Sequence, residues 1–206
     1  MSVENICLLG WKMEPNNLNA GMRLSPGTLA PPIRLPAIDG SEFDSSQMRG
    51  KPYLLSFFRF ATCPFCNLRM HELVSRYEEL GQHVGVVAIF ESPLDHLQQY
   101  AGRHHAPFPV LADPDKRYYR LYGIEQSLVG MLKGMLFKMP QMIKGMAKGY
   151  LPFPIKGRLT TMPADFLIDR EGIIQFAHYG KDEGDHLPFE QVKAFARREA
   201  ESKMLD

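Results

Sequence analysis

The chain has few cysteines, almost no charge imbalance and no long apolar run. Cysteine occurs only three times in 206 residues, at Cys7, Cys63 and Cys66. That is too few to staple a disulfide-scaffolded secreted domain. Lys and Arg number 24 against 23 Asp and Glu, a formal net charge of +1, so nothing in the charge balance recommends nucleic acid as a partner. No stretch reaches the roughly 20 apolar residues of a transmembrane helix. The opening Met1-Ser2-Val3-Glu4-Asn5-Ile6-Cys7-Leu8-Leu9-Gly10 lacks the basic start and long apolar core of a secretory leader. Together these absences lead us to expect a soluble protein in a reducing compartment, most simply the cytoplasm. A chain that is 45% hydrophobic and 23% charged can bury a full core as one domain.

What is present is Cys63-Pro64-Phe65-Cys66, placed directly after the apolar run Tyr53-Leu54-Leu55-Ser56-Phe57-Phe58 and before a helix-patterned segment. A strand feeding a helix through Cys-x-x-Cys sets the first sulfur at the helix N-terminus. There, unpaired N–H groups and the positive end of the macrodipole favour thiolate over thiol. An ordinary thiol with pKa about 8.5 is only roughly 3% ionised at pH 7; lowering it to about 7 leaves it roughly half ionised. Cys63 is therefore expected to be the nucleophile, more acidic and more exposed than Cys66. Pro64 suits the first helical position, where a missing N–H costs nothing. A loop this small removes little chain entropy from the unfolded state, so the pair makes more sense as chemistry than as a staple. Zinc in a closed site takes four ligands, no second cysteine pair exists, and His71 falls among exposed charges, so no metal is expected. Cys7 is read as a small buried or arm residue in preference to a second resolving thiol. His104, His105, His178 and His186 carry no motif and are read as solvated or core histidines.

The rest of the chain alternates strands and helices. Residues 1–25 show no period and read as an irregular arm. Ile33–Leu35 and Glu42–Phe43 around Asp39-Gly40 predict a hairpin, followed by a short helical turn at Ser45–Met48. The dithiol helix carries Met70, Leu73, Val74, Tyr77 and Leu80 at helical spacing and should close at Gly81. Val84–Phe90 predicts a buried strand, and Ser92-Pro93 an N-cap and first-turn proline for a helix through Leu97 and Tyr100. Pro109–Leu111 is a short strand, Asp113 caps a helix ending at Gly123, Asp165–Asp169 and Ile173–His178 form a hairpin, and a last helix follows Pro188. The order predicts an α/β fold: a central mixed β-sheet with helices on both faces.

These residues bring the chain to a family. Ala30-Pro31-Pro32-Ile33-Arg34-Leu35, Arg49-Gly50-Lys51-Pro52, the CPFC dithiol, Phe108-Pro109-Val110-Leu111-Ala112-Asp113-Pro114 and Met162-Pro163-Ala164-Asp165-Phe166-Leu167-Ile168-Asp169 follow one another in an order and spacing that resembles the thioredoxin superfamily. Within it, the match is to the peroxiredoxin-like branch of the alkyl hydroperoxide reductase/thiol-specific antioxidant (AhpC/TSA) group. The resemblance implies a thioredoxin-like domain over residues 26–206, and an antioxidant cycle in which Cys63 and Cys66 alternate between dithiol and disulfide with no other cofactor. It further implies a dithiol reductant of thioredoxin or glutathione type and a peroxide or disulfide substrate. Phe60, Thr62, Pro64, Phe65, Met162 and Pro163 become the candidate substrate-binding residues, with a cis Met162–Pro163 bond against the dithiol. One departure matters: aligned on Cys63, the family's Pro-x-x-x-Thr/Ser-x-x-Cys places Ser56 where the proline belongs and Phe60 where the peroxide-binding hydroxyl belongs. Arg59 and Arg158 are then the candidate cations for stabilising charge. Two alternatives stand beside the peroxidase: a disulfide reductase without significant peroxidase activity, and a protein binding a metal or iron–sulfur cluster through Cys63.

An insertion at about 127–160 has no counterpart in a minimal thioredoxin fold. It carries no acidic residue, five methionines three or four apart (Met131, Met135, Met139, Met142 and Met146) and a break at Pro140, which predicts two short helices. Its connection runs into Met162-Pro163, so it should approach the dithiol as packing, an adaptable lid or a substrate groove. Residues 127–150 are also a candidate for peripheral membrane contact. A homodimer is compatible with the same sequence.

Overall fold

The computed structural model describes residues 22–81 and 83–205. Cys7 and most of the expected N-terminal arm lie outside them. Seven strands and six α-helices are formed among the described residues. β1 (Arg34–Pro36) and β2 (Glu42–Asp44) make the hairpin expected around Asp39-Gly40, and the Asp44 carboxylate accepts from Ser46 N to start the following 3-10 turn. The main sheet holds β3 (Tyr53–Phe58), β4 (Gly85–Phe90), β5 (Val110–Ala112), β6 (Ala164–Ile168) and β7 (Ile174–Tyr179) in the order β5-β4-β3-β6-β7. β3 runs parallel to β4 and antiparallel to β6, so the sheet is mixed.

Side chains alternate across β3, as a pleated strand requires. Leu54 and Phe58 join the core that contains both cysteines of the dithiol, Met70, Leu73 and the last helix, α6 (Phe189–Leu205). Tyr53, Leu55 and Phe57 join the opposite core with Tyr119, Tyr122, Phe166 and Ile174. Because β3 is covered on both faces, it reads as a continuous apolar run.

Parallel pairing brings the C-terminal ends of β3 and β4 to the same edge, where α/β folds place their ligands. From that edge β3 leads through Arg59–Thr62 into α1 (Pro64–Ser75), and β4 leads through Glu91-Ser92 into α2 (Leu94–Tyr100). Two hydrogen bonds sew the loops together: Glu91 N donates to Arg59 O at 3.1 Å, and Ala61 N donates to Ser92 Oγ at 3.0 Å. α3 (Arg117–Leu121) is held at its start by the Asp113 carboxylate, which accepts from Arg117 N and Tyr118 N. The insertion forms α4 (Leu128–Phe137) and α5 (Met139–Ala147), with Pro140 in the first turn of the second helix.

Three local expectations differ from the structure. The dithiol helix stops at Ser75, and Tyr77–Leu80 continues as a 3-10 turn. Arg76 clasps Glu79 and Glu190 there, while Tyr77 turns onto Phe108; Gly81, at φ 61°, still ends the segment. Ser92 does not cap α2. Its hydroxyl faces inward between Ala61 N and Lys156 O, which leaves Pro93 at the cap position. Finally, among the described residues the cis peptide bond is Phe153–Pro154, not Met162–Pro163. The latter is trans in a segment fixed on both sides, with Met162 N donating to Glu125 O and Gly180 N donating to Pro163 O.

Candidate active site

Cys63 occupies the N-cap of α1 in extended conformation, with Pro64 in the first turn. Cys66 lies in that same first turn, one residue before Asn67, whose backbone N donates to Cys63 O. Both cysteines are free thiols and both are fully buried. The expected difference in exposure is therefore absent: both sulfurs are buried in the core with Phe60, Phe65 and Met70, and residues 150–161, coming out of α5, lie over the neighbouring Arg59 and Thr62 at the edge of the sheet.

The difference in acidity is nonetheless large. Burial is the strongest single influence on Cys63 and disfavours its thiolate. Against it stand the hydrogen bond from the Cys66 thiol, the Arg59 guanidinium, and the backbone N–H groups of Cys66 and Phe65, which together bring Cys63 down to about 6. Arg59 Nη1 lies 3.6 Å from Cys63 Sγ. Cys66 is pushed well above the ordinary thiol range by burial and by the neighbouring Cys63 sulfur, which takes its proton as a hydrogen bond. One sulfur is built to be a thiolate and the other to keep its proton.

Arg59 is only 3% exposed. It is held by its Nη2, which donates to Leu159 O in the covering segment, and it lies over the Phe60 ring at 5.3 Å. The same cover is fixed at four further points. Thr62 Oγ1 donates to Pro154 O at 3.1 Å and Ser92 Oγ to Lys156 O at 3.1 Å, His96 Nε2 lies 3.2 Å from Pro154 O, and Arg158 N donates to a buried Glu91 carboxylate oxygen at 2.7 Å. Gly157 sits so close that a Cβ there would fall 2.6 Å from Phe60 Cβ.

The candidate site residues separate into two groups. Arg59, Phe60, Thr62, Pro64 and Phe65 flank the dithiol within residues 59–65. Arg158 does not: its backbone serves Glu91 and its guanidinium reaches Gln126 at the exposed edge, while the carbonyls of Pro154, Lys156 and Leu159 take the hydrogen bonds from Thr62, Ser92 and Arg59. Met162 and Pro163 line a separate cavity of about 260 Å³ with Arg23, Glu125, Gly130 and Tyr179, whose walls include neither cysteine. Among the described residues no group of three or more His, Cys, Asp or Glu is placed to hold a metal ion.

Sequence reasoning missed the buried polar groups that hold this arrangement. Asn67 Nδ2 donates to Ala61 O and Cys63 O, closing the loop before α1, and its Oδ1 lies 2.8 Å from His104 Nε2. Burial lowers His104 to about 4, so the neutral ring donates to that amide oxygen. Asp165, fully buried in β6, accepts from the Ser56 hydroxyl and from Leu187 N, and pairs with His186 Nδ1 at 3.0 Å. Burial alone would raise its pKa. The His186 ring, its hydrogen bond, Arg69 and Ser56 outweigh that and hold the carboxyl well below the usual carboxylate range. A lone acid inside the apolar strand Ala164-Asp165-Phe166-Leu167-Ile168 was the available signal, since an unpaired carboxylate is not tolerated there.

A family model described as AhpC/TSA matches residues 26–177. The chain belongs to the AhpC/TSA family. It is 27% identical over 110 residues to Peroxiredoxin Bcp of Escherichia coli (strain K12), covering 52% of this chain and 70% of that protein. To the chloroplastic Peroxiredoxin Q of Triticum aestivum it is 24% identical over 115 residues, covering 54% and 52%. Over 105 residues it is 28% identical to a Mycobacterium tuberculosis relative, spanning 65% of that protein's length. A peroxiredoxin-like protein from Aquifex aeolicus superposes with a TM-score of 0.63 at 15% identity, covering 87% of this chain and 90% of that one. The thioredoxin-like fold that the resemblance implied is thus the fold found.

Proposed function

We propose that this member of the AhpC/TSA family is a thiol-dependent peroxidase in which Cys63 reacts with the peroxide and Cys66 resolves the product. The observation that carries the reading is the Cys63 sulfur at the N-terminus of α1, 3.6 Å from the buried Arg59 guanidinium, with its proton affinity lowered and that of Cys66 raised. The thiolate attacks one peroxide oxygen. The O–O bond breaks, the departing oxygen takes a proton to leave as alcohol or water, and Cys63 becomes a sulfenic acid. Cys66 then condenses with it, forming the Cys63–Cys66 disulfide and releasing water. An external dithiol of thioredoxin or glutathione type returns both sulfurs to thiols by exchange.

Arg59 and the N–H groups of the first turn of α1 are the donors for charge developing on the peroxide oxygens, and preorganised donors of this kind are worth about 3 kcal/mol each. Phe60 supplies none in the place where the family carries a hydroxyl, so turnover with hydrogen peroxide should fall well below that of a typical peroxiredoxin. The same absence, together with a resolving sulfur in Cys-x-x-Cys spacing, favours a second reading as a disulfide reductase. Peptide mapping after treating reduced protein with one equivalent of hydrogen peroxide tests the assignment. A Cys63–Cys66 disulfide in the wild type, and a sulfenic acid trapped at Cys63 in C66S, are expected; modification confined to Cys66 would reverse the roles.

A further inference from the structure

Exposed apolar side chains are concentrated on one part of this molecule. Of fourteen large apolar residues left exposed among the described residues, eleven lie between Leu128 and Leu159. Their spacing is orderly. Leu128, Leu132 and Leu136 follow one another four apart along α4, and Ile143 is the centre of an outward stripe on α5, with Phe153 at 71% exposure beyond it. Gly130 and Gly145 face inward. A Cβ at Gly130 would stand 2.7 Å from Lys181 O, and one at Gly145 would stand 2.9 Å from Pro64 Cβ. The insertion therefore docks on the domain through glycine and turns its apolar stripes to the outside, the reverse of an ordinary surface helix.

Its charge has one sign. From Gln126 to Ala164 there is no Asp or Glu, against six basic residues. Lys138 is tied to Asp182 and Lys156 approaches Asp95; Lys144, Lys148 and Arg158 are exposed and form no ion pair among the described residues. We propose that residues 128–159 are a docking surface for the headgroup boundary of an anionic lipid bilayer. Exposed apolar side chains would enter the acyl boundary while the cations meet lipid phosphates, the two contributions that bind interfacial segments. Helices of 10 and 9 residues are far too short to cross a bilayer. A second copy fits less well, because a two-fold contact would lay this acid-free stretch on itself and oppose like charges.

Cosedimentation of the full chain with phosphatidylcholine vesicles, with and without phosphatidylglycerol, tests the proposal. Binding to the phosphatidylglycerol vesicles, weakened by added salt, is expected. The I143Q/F153S and K144E/K148E variants should each lower partitioning by about tenfold or more, while C63S should bind like the wild type, so that docking is read independently of the peroxidase assignment. Absence of binding to the anionic vesicles, equal binding to pure phosphatidylcholine, or indifference to both double variants would overturn it. So would sedimentation as a dimer that I143Q/F153S converts to a monomer, which would make a second copy the occupant.

Discussion

Arg59 carries more of this site than its place in the sequence suggests. Its guanidinium hydrogen-bonds Cys63 Sγ and, after the hydrogen bond from the Cys66 thiol and together with the first-turn N–H groups, offsets the desolvation of a fully buried thiolate. R59M should raise the Cys63 pKa by about 1 to 2 units, cutting the thiolate fraction near pH 6 about tenfold. The sign is open to measurement. In the wild type, alkylation of Cys63 should fall off as pH drops through about 6, and in R59M the same profile should move to higher pH; an unmoved profile would remove Arg59 from the account. The order of acidity, Cys63 below Cys66, was legible in Cys63-Pro64-Phe65-Cys66 from position at the helix start, although the Cys66 hydrogen bond and Arg59 contribute more to it than the helix N–H groups do. Burial of both sulfurs was not legible, since it arises from long-range packing into the core with Phe90, Leu187 and Phe189. Arg158 failed as a candidate for a related reason: sequence gives its nearness to the cover but not which way the side chain leaves the chain.

At the scale of elements, α5 is pressed onto the first turn of α1 through Gly145. G145V would place branched carbon against Pro64 Cβ and O, an overpacking costing about 1 to 3 kcal/mol, and the displaced helix should leave Cys63 faster to alkylate. A variant that loses stability with no change in alkylation would show that α5 does not guard the thiol. On the same face of β3, level with Ser56 between Leu54 and Phe58, Asp165 links Ser56, His186 and the lead-in to α6. Removing one member of such a buried pair costs about 3 to 5 kcal/mol, and D165N should be destabilised on that order in denaturant titrations near neutral pH. Because the folded carboxyl is held below the unfolded value of about 3.9, its contribution is complete above that pH and disappears as pH falls below it. The gap between wild type and D165N should close in acid; a gap constant with pH would argue against a carboxylate there. Elements carried by period, such as β3, α1 and the methionine-spaced α4 and α5, were readable before any coordinates. The Ser92 cap was not, because its hydroxyl found long-range partners in Ala61 and Lys156.

For the whole molecule, the sheet edge brings the dithiol loop beside a segment from a distant insertion, bonded through Arg59 and Thr62. An α/β sheet with helices on both faces was implied by the alternation of strands and helices, and the structure shows it mixed; its strand order, β5-β4-β3-β6-β7, was not read from the sequence. No helix among the described residues is long and apolar enough to cross a membrane. The central claim is that Cys63, activated by Arg59 and the α1 N-terminus, is the sulfur that peroxide oxidises. Stopped-flow mixing of reduced protein with hydrogen peroxide under single-turnover conditions tests it most directly. The account predicts a Cys63-dependent oxidation that is slower than in a typical peroxiredoxin, is absent in C63S, keeps its first step in C66S and follows a thiolate titrating near pH 6. Oxidation that persists undiminished in C63S would contradict it.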